Sequence, residues 1–236
     1  MKNDFKNYAV NHLGIPSTTL DSYENSVSGI TAMNTPAIVI EKPTNMQVVS
    51  VFDALIKDKI IYVTGTVNDQ MANIISAQLL YLDTLNTNEP ITFYINSGGG
   101  SVYSGNSIIS SMYLSKTPVD TICFGMAASM ASVILGKGNE RSIVRFGRVM
   151  LHQSSGGANG GIIDSHIAFK EWNRLNDDLF ELLGESTNKT SEQVKKDAER
   201  DLWLNPIEAL EYGIVDKIYW SKDKVITLDN LHEVKK

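Results

Sequence analysis

Gly125-Met126-Ala127-Ala128-Ser129-Met130-Ala131-Ser132 sets a serine among small residues, where a strand-like run (Thr121 to Phe124) gives way to an apolar helical run. A serine at such a junction exposes its hydroxyl beside helical N–H groups that have no intrahelical partner. It can attack a carbonyl while amides hold the resulting oxyanion. Taken singly, a serine so placed is most often a helix N-cap. Two further segments give it company. Asn96-Ser97-Gly98-Gly99-Gly100-Ser101 lacks the Gly-Lys-Ser/Thr of a phosphate loop and misses the dinucleotide spacing. Its successive glycines can still bring backbone N–H groups up to an oxyanion. In Val149-Met150-Leu151-His152-Gln153-Ser154-Ser155-Gly156-Gly157 an apolar run ends in a histidine placed to act as a general base. A lone histidine is more often structural, and His12, His166 and His232 have no such setting. An acid must then orient the imidazole. Asp201, in Glu199-Arg200-Asp201-Leu202-Trp203, sits at a predicted helix end beside apolar residues that imply partial burial; on chemistry alone Asp164, Asp197 and Asp216 compete with it.

The elements that must position these groups alternate. Ala37–Ile40 reads as a short strand and Val48–Ile56 as a helix. Ile60–Thr64 is a strand, and Asp69 caps an apolar helix through Leu85. Strand Ile91–Ile95 leads into a glycine turn over Asn96–Ser101 and a helix from Tyr103 to Leu114. Strand Val119–Phe124 then leads into helix Ser129–Leu135. Such alternation implies a largely parallel sheet covered by helices, an α/β fold. Downstream, Phe169, Trp172, Leu175, Leu179 and Leu182 recur at helical spacing, with Gly184 as terminator. Thr190 and Gln193 suggest a capping box for a helix running to Arg200. Asn205, Pro206 and Glu208 open a short helix that Gly213 closes, and Ile214–Trp220 is a last strand.

The chain has 236 residues, enough for one domain with a sizeable core. Residues 1–35 are rich in Asn, Ser and Thr and read as a weakly ordered extension or propeptide, with 36–220 the domain proper and 221–236 a charged, peripheral tail. A net charge of −6 argues against a nucleic-acid binder, which would carry a basic patch. The single cysteine, Cys123, lies in an apolar run and reads as core; it leaves no intrachain disulfide and, with four scattered histidines, no zinc pattern. The polar start lacks a secretory core and no run reaches membrane-spanning length, so the expected address is the cytoplasm, with no membrane partner.

Tyr94-Ile95-Asn96-Ser97-Gly98-Gly99-Gly100-Ser101-Val102, Gly125-Met126-Ala127-Ala128-Ser129-Met130, Val149-Met150-Leu151-His152-Gln153 and Glu199-Arg200-Asp201 resemble, in order and nearly in spacing, the signatures of the ClpP family. These are the proteolytic subunits of the Clp protease. The similarity runs from about Pro36 to Ile218 and includes Glu211-Tyr212-Gly213-Ile214-Val215-Asp216. The resemblance implies a ClpP/crotonase-like fold of stacked βα units with a protruding strand-helix handle at about 156–183. It also implies Ser129 as nucleophile, His152 as base and acid, Asp201 as orienting acid, and the amides of Gly100 and Met130 as the oxyanion hole. Substrate would add as a strand along Ser101–Val102 and Ser154–Ser155. Unfolded polypeptides would be cut inside a homo-oligomer of two stacked heptameric rings. A hexameric unfolding ATPase would feed it through pockets at Tyr94, Leu114 and Tyr219. That ATPase would consume the ATP, leaving no cofactor in this chain, and a leader would be removed near Met33–Asn34.

Against the family pattern, Gly98 and Ser154 stand where proline is usual, Thr92 replaces an aromatic, and the Gly136–Arg141 connection is shorter. The departures bear on preorganisation and hence rate. They raise one alternative, a non-catalytic subunit of a mixed ring. A second is an acyl-CoA hydratase or isomerase, whose superfamily shares the fold and the paired-amide hole.

Overall fold

The computed structural model describes residues 37–42, 45–85, 89–157 and 161–234, in two compact units divided between residues 58 and 59. The expected extension over 1–35 and its cleavage point lie outside the described residues. In the first unit β1 (Ala37–Lys42) and β2 (Asn45–Ser50) pair antiparallel, with Val39 opposite Val48. Helix α1 (Val51–Lys57) follows, capped by Ser50 accepting from the Asp53 N–H. The helix expected from Val48 therefore begins three residues later, because Val48 and Val49 are taken up in the β2 ladder.

The second unit is a parallel sheet with helices. Its elements are β3 (Ile60–Val67), α2 (Asp69–Thr84), β4 (Ile91–Gly100), α3 (Val102–Leu114), β5 (Val119–Ala128), α4 (Met130–Gly136), β6 (Arg141–Val144) and β7 (Arg148–Leu151). There follow α5 (Ile162–Glu185), α6 (Ser191–Asp197), β8 (Leu202–Leu204), α7 (Pro206–Tyr212), β9 (Lys217–Ser221) and β10 (Lys224–Ile226). The strands run β10-β9-β6-β5-β4-β3, parallel except for β10. Strand β5 is shared: Thr121–Cys123 pairs with β6, while Met126–Ala128 pairs with β7, which in turn pairs antiparallel with β8.

Alternate residues of the central strands fill the core: Ile61, Val63, Ile91, Phe93, Ile95, Cys123 and Ile143 are at most 2% exposed. Helix α2 buries Ala72, Ile75, Leu79 and Leu82 at helical spacing, each larger side chain contributing about 1.5–3 kcal/mol. Burial pushes the Cys123 thiol up to about 12, as suits a small core residue rather than a nucleophile.

Several boundaries differ from the sequence reading for identifiable reasons. Asn68, not Asp69, caps α2, its side chain accepting from the Met71 N–H. Gly184 lies within α5, whose cap is Ser186. Thr190 caps α6 as expected, but Gln193 bonds Asp197 rather than closing the box, and the helix ends at Asp197 instead of Arg200. The tail is not wholly peripheral: β10 joins the sheet, and Ile226 and Leu231 are buried. Residues 152–157 carry no regular structure, so α5 alone represents the expected handle among the described residues.

One ion pair ties β6 to the turn before β9. Arg141 donates through its backbone N–H and Nε to Asp216 Oδ2 (2.8 and 2.9 Å), and Asp216 N–H returns a bond to Arg141 O. Burial of Asp216 opposes ionisation, yet the hydrogen bonds and charge of Arg141 outweigh it and hold the carboxyl below its ordinary value. A lowered folded value makes this stabilisation complete above the unfolded carboxylate range and lost as pH falls through the folded value. The urea-midpoint difference between wild type and Asp216→Asn is therefore expected to be largest near neutral pH and to shrink below about pH 4. A difference that stays constant into acid would contradict this.

Candidate active site

Ser129 stands between the last residue of β5 and the first of α4, with φ 55° and ψ −129°. A non-glycine residue held at positive φ costs about 1–2 kcal/mol, so its surroundings must fix it. They do so through the backbone. Ser129 N–H donates to Met150 O at 2.9 Å, and Ser132 donates to Ser129 O through both N–H (2.9 Å) and Oγ (2.6 Å). The Ser129 side chain makes no capping bond, although it occupies the cap position. Its hydroxyl lies instead 2.8 Å from His152 Nε2.

His152 follows β7. Parallel pairing of Ala128 with Met150 brings the ends of β5 and β7 side by side, so the serine and the histidine extend from neighbouring strands. On the far side of β7, Leu151 pairs with Leu202 of β8, which sets Asp201 opposite His152. Asp201 Oδ1 lies 3.5 Å from His152 Nδ1, and its side chain is 61% exposed. The expected partial burial does not hold, because α6 ends at Asp197 and Asp201 lies on the surface segment beyond it. Two of the competing acids are engaged elsewhere, Asp216 with Arg141 and Asp197 with Tyr212 and Gln193, and Asp164 lies in the first turn of α5.

The glycine run is not a turn. Asn96–Gly100 completes β4, with Thr66 opposite Gly99 and Val67 opposite Gly100, and Ser101 N–H donates to Val67 O at 2.8 Å. Gly99 (φ +87°) approaches so closely that a Cβ there would fall 2.6 Å from Ala128 O, 2.7 Å from Ser129 Cβ and 2.9 Å from Met130 N. The run thus lies against the serine and the first amide of α4. Met130 packs its side chain beneath α3 at Gly105, and its N–H belongs to the unpaired first helical turn. Ser101 caps α3 through the Ser104 N–H and Val102 opens that helix, so extended backbone on this side ends at Ser101 and does not include the expected Val102. Ser154 and Ser155 lie in the irregular segment after His152, and the Ser154 N–H donates to Asn176 of α5.

A strained serine, an imidazole at hydrogen-bond distance, a carboxylate beyond it and a glycine strand alongside form a constellation for acyl transfer. A family model described as Clp protease matches residues 43–222. The chain belongs to the Clp protease family. A relative named ATP-dependent Clp protease proteolytic subunit, from Porphyromonas gingivalis, is 42% identical over 218 residues, covering 92% of this chain and 97% of the relative. One of the same name from Bacteroides fragilis is 40% identical over 221 residues, 93% and 99% of the two chains. A proteolytic subunit 1 from Salinibacter ruber is 39% identical over 185 residues, 78% and 79%.

In this chain Tyr94 stacks on Tyr62 (centroids 5.5 Å apart) and meets Phe124 edge-on (5.8 Å). Tyr62 and Phe124 were not singled out from sequence, although alternation places all three on the outward side of β3, β4 and β5. Leu114 is 81% exposed at the end of α3, and Lys217 lies over the Tyr219 ring. No helix among the described residues is long and apolar enough to cross a membrane.

Proposed function

We propose that this chain is the peptide-cleaving subunit of an ATP-dependent Clp protease and that Ser129, His152 and Asp201 do the chemistry. The supporting observation is the 2.8 Å contact between Ser129 Oγ and His152 Nε2, made by a serine whose side chain forms no cap. As Oγ attacks the scissile carbonyl carbon, Nε2 takes the hydroxyl proton, and the carbonyl oxygen becomes an oxyanion facing the amides of Gly100 and Met130. His152 then gives that proton to the leaving amine, and an acyl-serine remains. Water, deprotonated by His152, releases the acid and restores the hydroxyl. Asp201 fixes the Nδ1–H tautomer and stabilises the imidazolium.

Substrate lies as an added strand beside Gly100 and Ser101 on one side and Ser154–Ser155 on the other. The assembly is two stacked heptameric rings in the cytoplasm. A hexameric unfolding ATPase docks near Tyr94, Leu114 and Tyr219 and delivers unfolded proteins. This chain uses no cofactor, and ATP is turned over by the partner. A non-catalytic subunit of a mixed ring would lack one of the reacting groups; the 2.8 Å Ser129–His152 contact supports the catalytic reading instead. The test is treatment of the purified assembly with a fluorophosphonate, followed by peptide mapping. The expected result is an adduct on Ser129 that accompanies loss of peptide hydrolysis. An unlabelled Ser129 in a protein that hydrolyses no peptide would overturn the reading.

A further inference from the structure

The segment after His152 is held by α5 in a way that the triad reading leaves unused. Ser154 N–H donates to Asn176 Oδ1 at 2.9 Å, and Ser154 Oγ donates to the same oxygen at 3.1 Å. Trp172 Nε1 donates to Ser154 Oγ at 2.7 Å. Trp172 and Asn176 are four residues apart on α5 and share one face. The indole also lines the path of the chain two residues on, since a Cβ at Gly156 would lie 2.9 Å from Trp172 Cζ2.

Burial alternates along this stretch: His152 and Ser154 are half-buried, while Gln153 and Ser155 are exposed. The alternation puts His152 and Ser154 on one side of the segment, so holding Ser154 restrains the short stretch of chain that carries His152, two residues away. The need for such a hold is visible at the other end of the imidazole. Asp201 is exposed and 3.5 Å away, so while its charge selects the Nδ1–H tautomer it restrains the position of the ring only weakly. Gln153, on the opposite side, makes a long contact of 3.3 Å to Glu199 O. A serine also leaves φ free where a proline ring would fix it. The clasp supplies that restraint through hydrogen bonds instead.

We infer that Asn176, together with Trp172, is a positioning residue: by clasping Ser154 it sets His152 at bonding distance from Ser129. The inference rests on the proposed roles of Ser129 and His152. It makes α5 a determinant of turnover rather than of substrate affinity.

The test compares peptide hydrolysis and the rate of Ser129 labelling by a fluorophosphonate in the full assembly. Asn176→Ala is expected to lower kcat and the labelling rate in parallel, about 10–100-fold, with KM within about threefold. Asn176→Asp keeps the acceptor oxygen and is expected to recover most of the loss. Ser154→Ala, which keeps its N–H but loses both hydroxyl contacts, is expected to fall about 3–10-fold. Unchanged native mass and melting temperature in these variants separate positioning from folding; should Asn176→Ala fail to assemble, Ser154→Ala carries the test alone. A loss confined to KM, or kcat within about twofold of wild type in the assembled variants, would overturn the inference. Normal labelling of both variants would sink the clasp alone, whereas an unlabelled wild type would sink the triad reading on which it rests.

Discussion

Peptide hydrolysis by the Ser129→Ala protein is expected to fall about 10⁴-fold or more below wild type, with far less change in KM. The substitution is a clean one. The hydroxyl's contact is with His152 Nε2, and the bonds that hold the unusual backbone, to Met150 O and from Ser132, do not involve it. Alanine at φ 55° meets nearly the steric conflict that serine already meets. The folded protein should therefore keep its stability to within about 1 kcal/mol while losing its nucleophile. His152→Ala should reach a similar floor, and the double variant should fall little further, because the two groups act as a unit. Steady-state hydrolysis of a short fluorogenic peptide reads all three. Turnover by Ser129→Ala within tenfold of wild type would mean that the attacking group lies elsewhere.

The second large effect is expected at a residue with no functional group. Gly99→Ala must push a methyl into Ala128 O, Ser129 Cβ and Met130 N, two of them backbone atoms of the nucleophile segment, at a φ of +87°. Overpacking and left-handed strain together predict a loss of about 2–4 kcal/mol in unfolding free energy. Whatever structure survives must move the serine or the glycine strand, and displacement of one oxyanion donor alone costs about 10²–10³ in kcat. Gly98→Ala is the matched control. The nearest atom to its added Cβ is Met126 Cε at 3.7 Å, an ordinary contact, and its φ is not positive. Its urea midpoint should stay near wild type. Equal damage from both substitutions would place the cause in the β4 strand as a whole rather than in the approach to Ser129.

The parts of the fold legible from sequence were those governed by local chemistry. Asn205 and Glu208 form the reciprocal capping box, and Gly213 closes α7 in the left-handed conformation, because each choice depends on neighbours a few residues away. What stayed hidden depended on partners distant in sequence. The glycine run looked like a turn because glycine is poor in strands, yet Val67 of β3 supplies a ladder that keeps it extended. The charged end of the chain gave no sign that β9 would recruit it as β10. In the site, Ser129 and His152 stood out by context. Asp201 did not: its place opposite His152 follows from the β7–β8 register, which nothing in its own neighbourhood encodes. Ser154 stands near His152 in sequence, but its partners Trp172 and Asn176 lie on α5, 18 and 22 residues away, and no local pattern encodes them.

The division of β5 between two neighbours has a consequence for how length variation is tolerated. Ser129 and His152 are tied by the β5–β7 ladder, whose last rung is the Ala128–Met150 pairing with the Ser129 N–H to Met150 O bond, and not by the chain that runs between them. That chain passes through α4, β6, β7 and the connections at 137–140 and 145–147. Residues can be lost from its Gly136–Arg141 connection while Ser129 Oγ and His152 Nε2 keep their 2.8 Å separation. Insertions and deletions in this connection are thus insulated from the chemistry, and the ladder serves as the ruler.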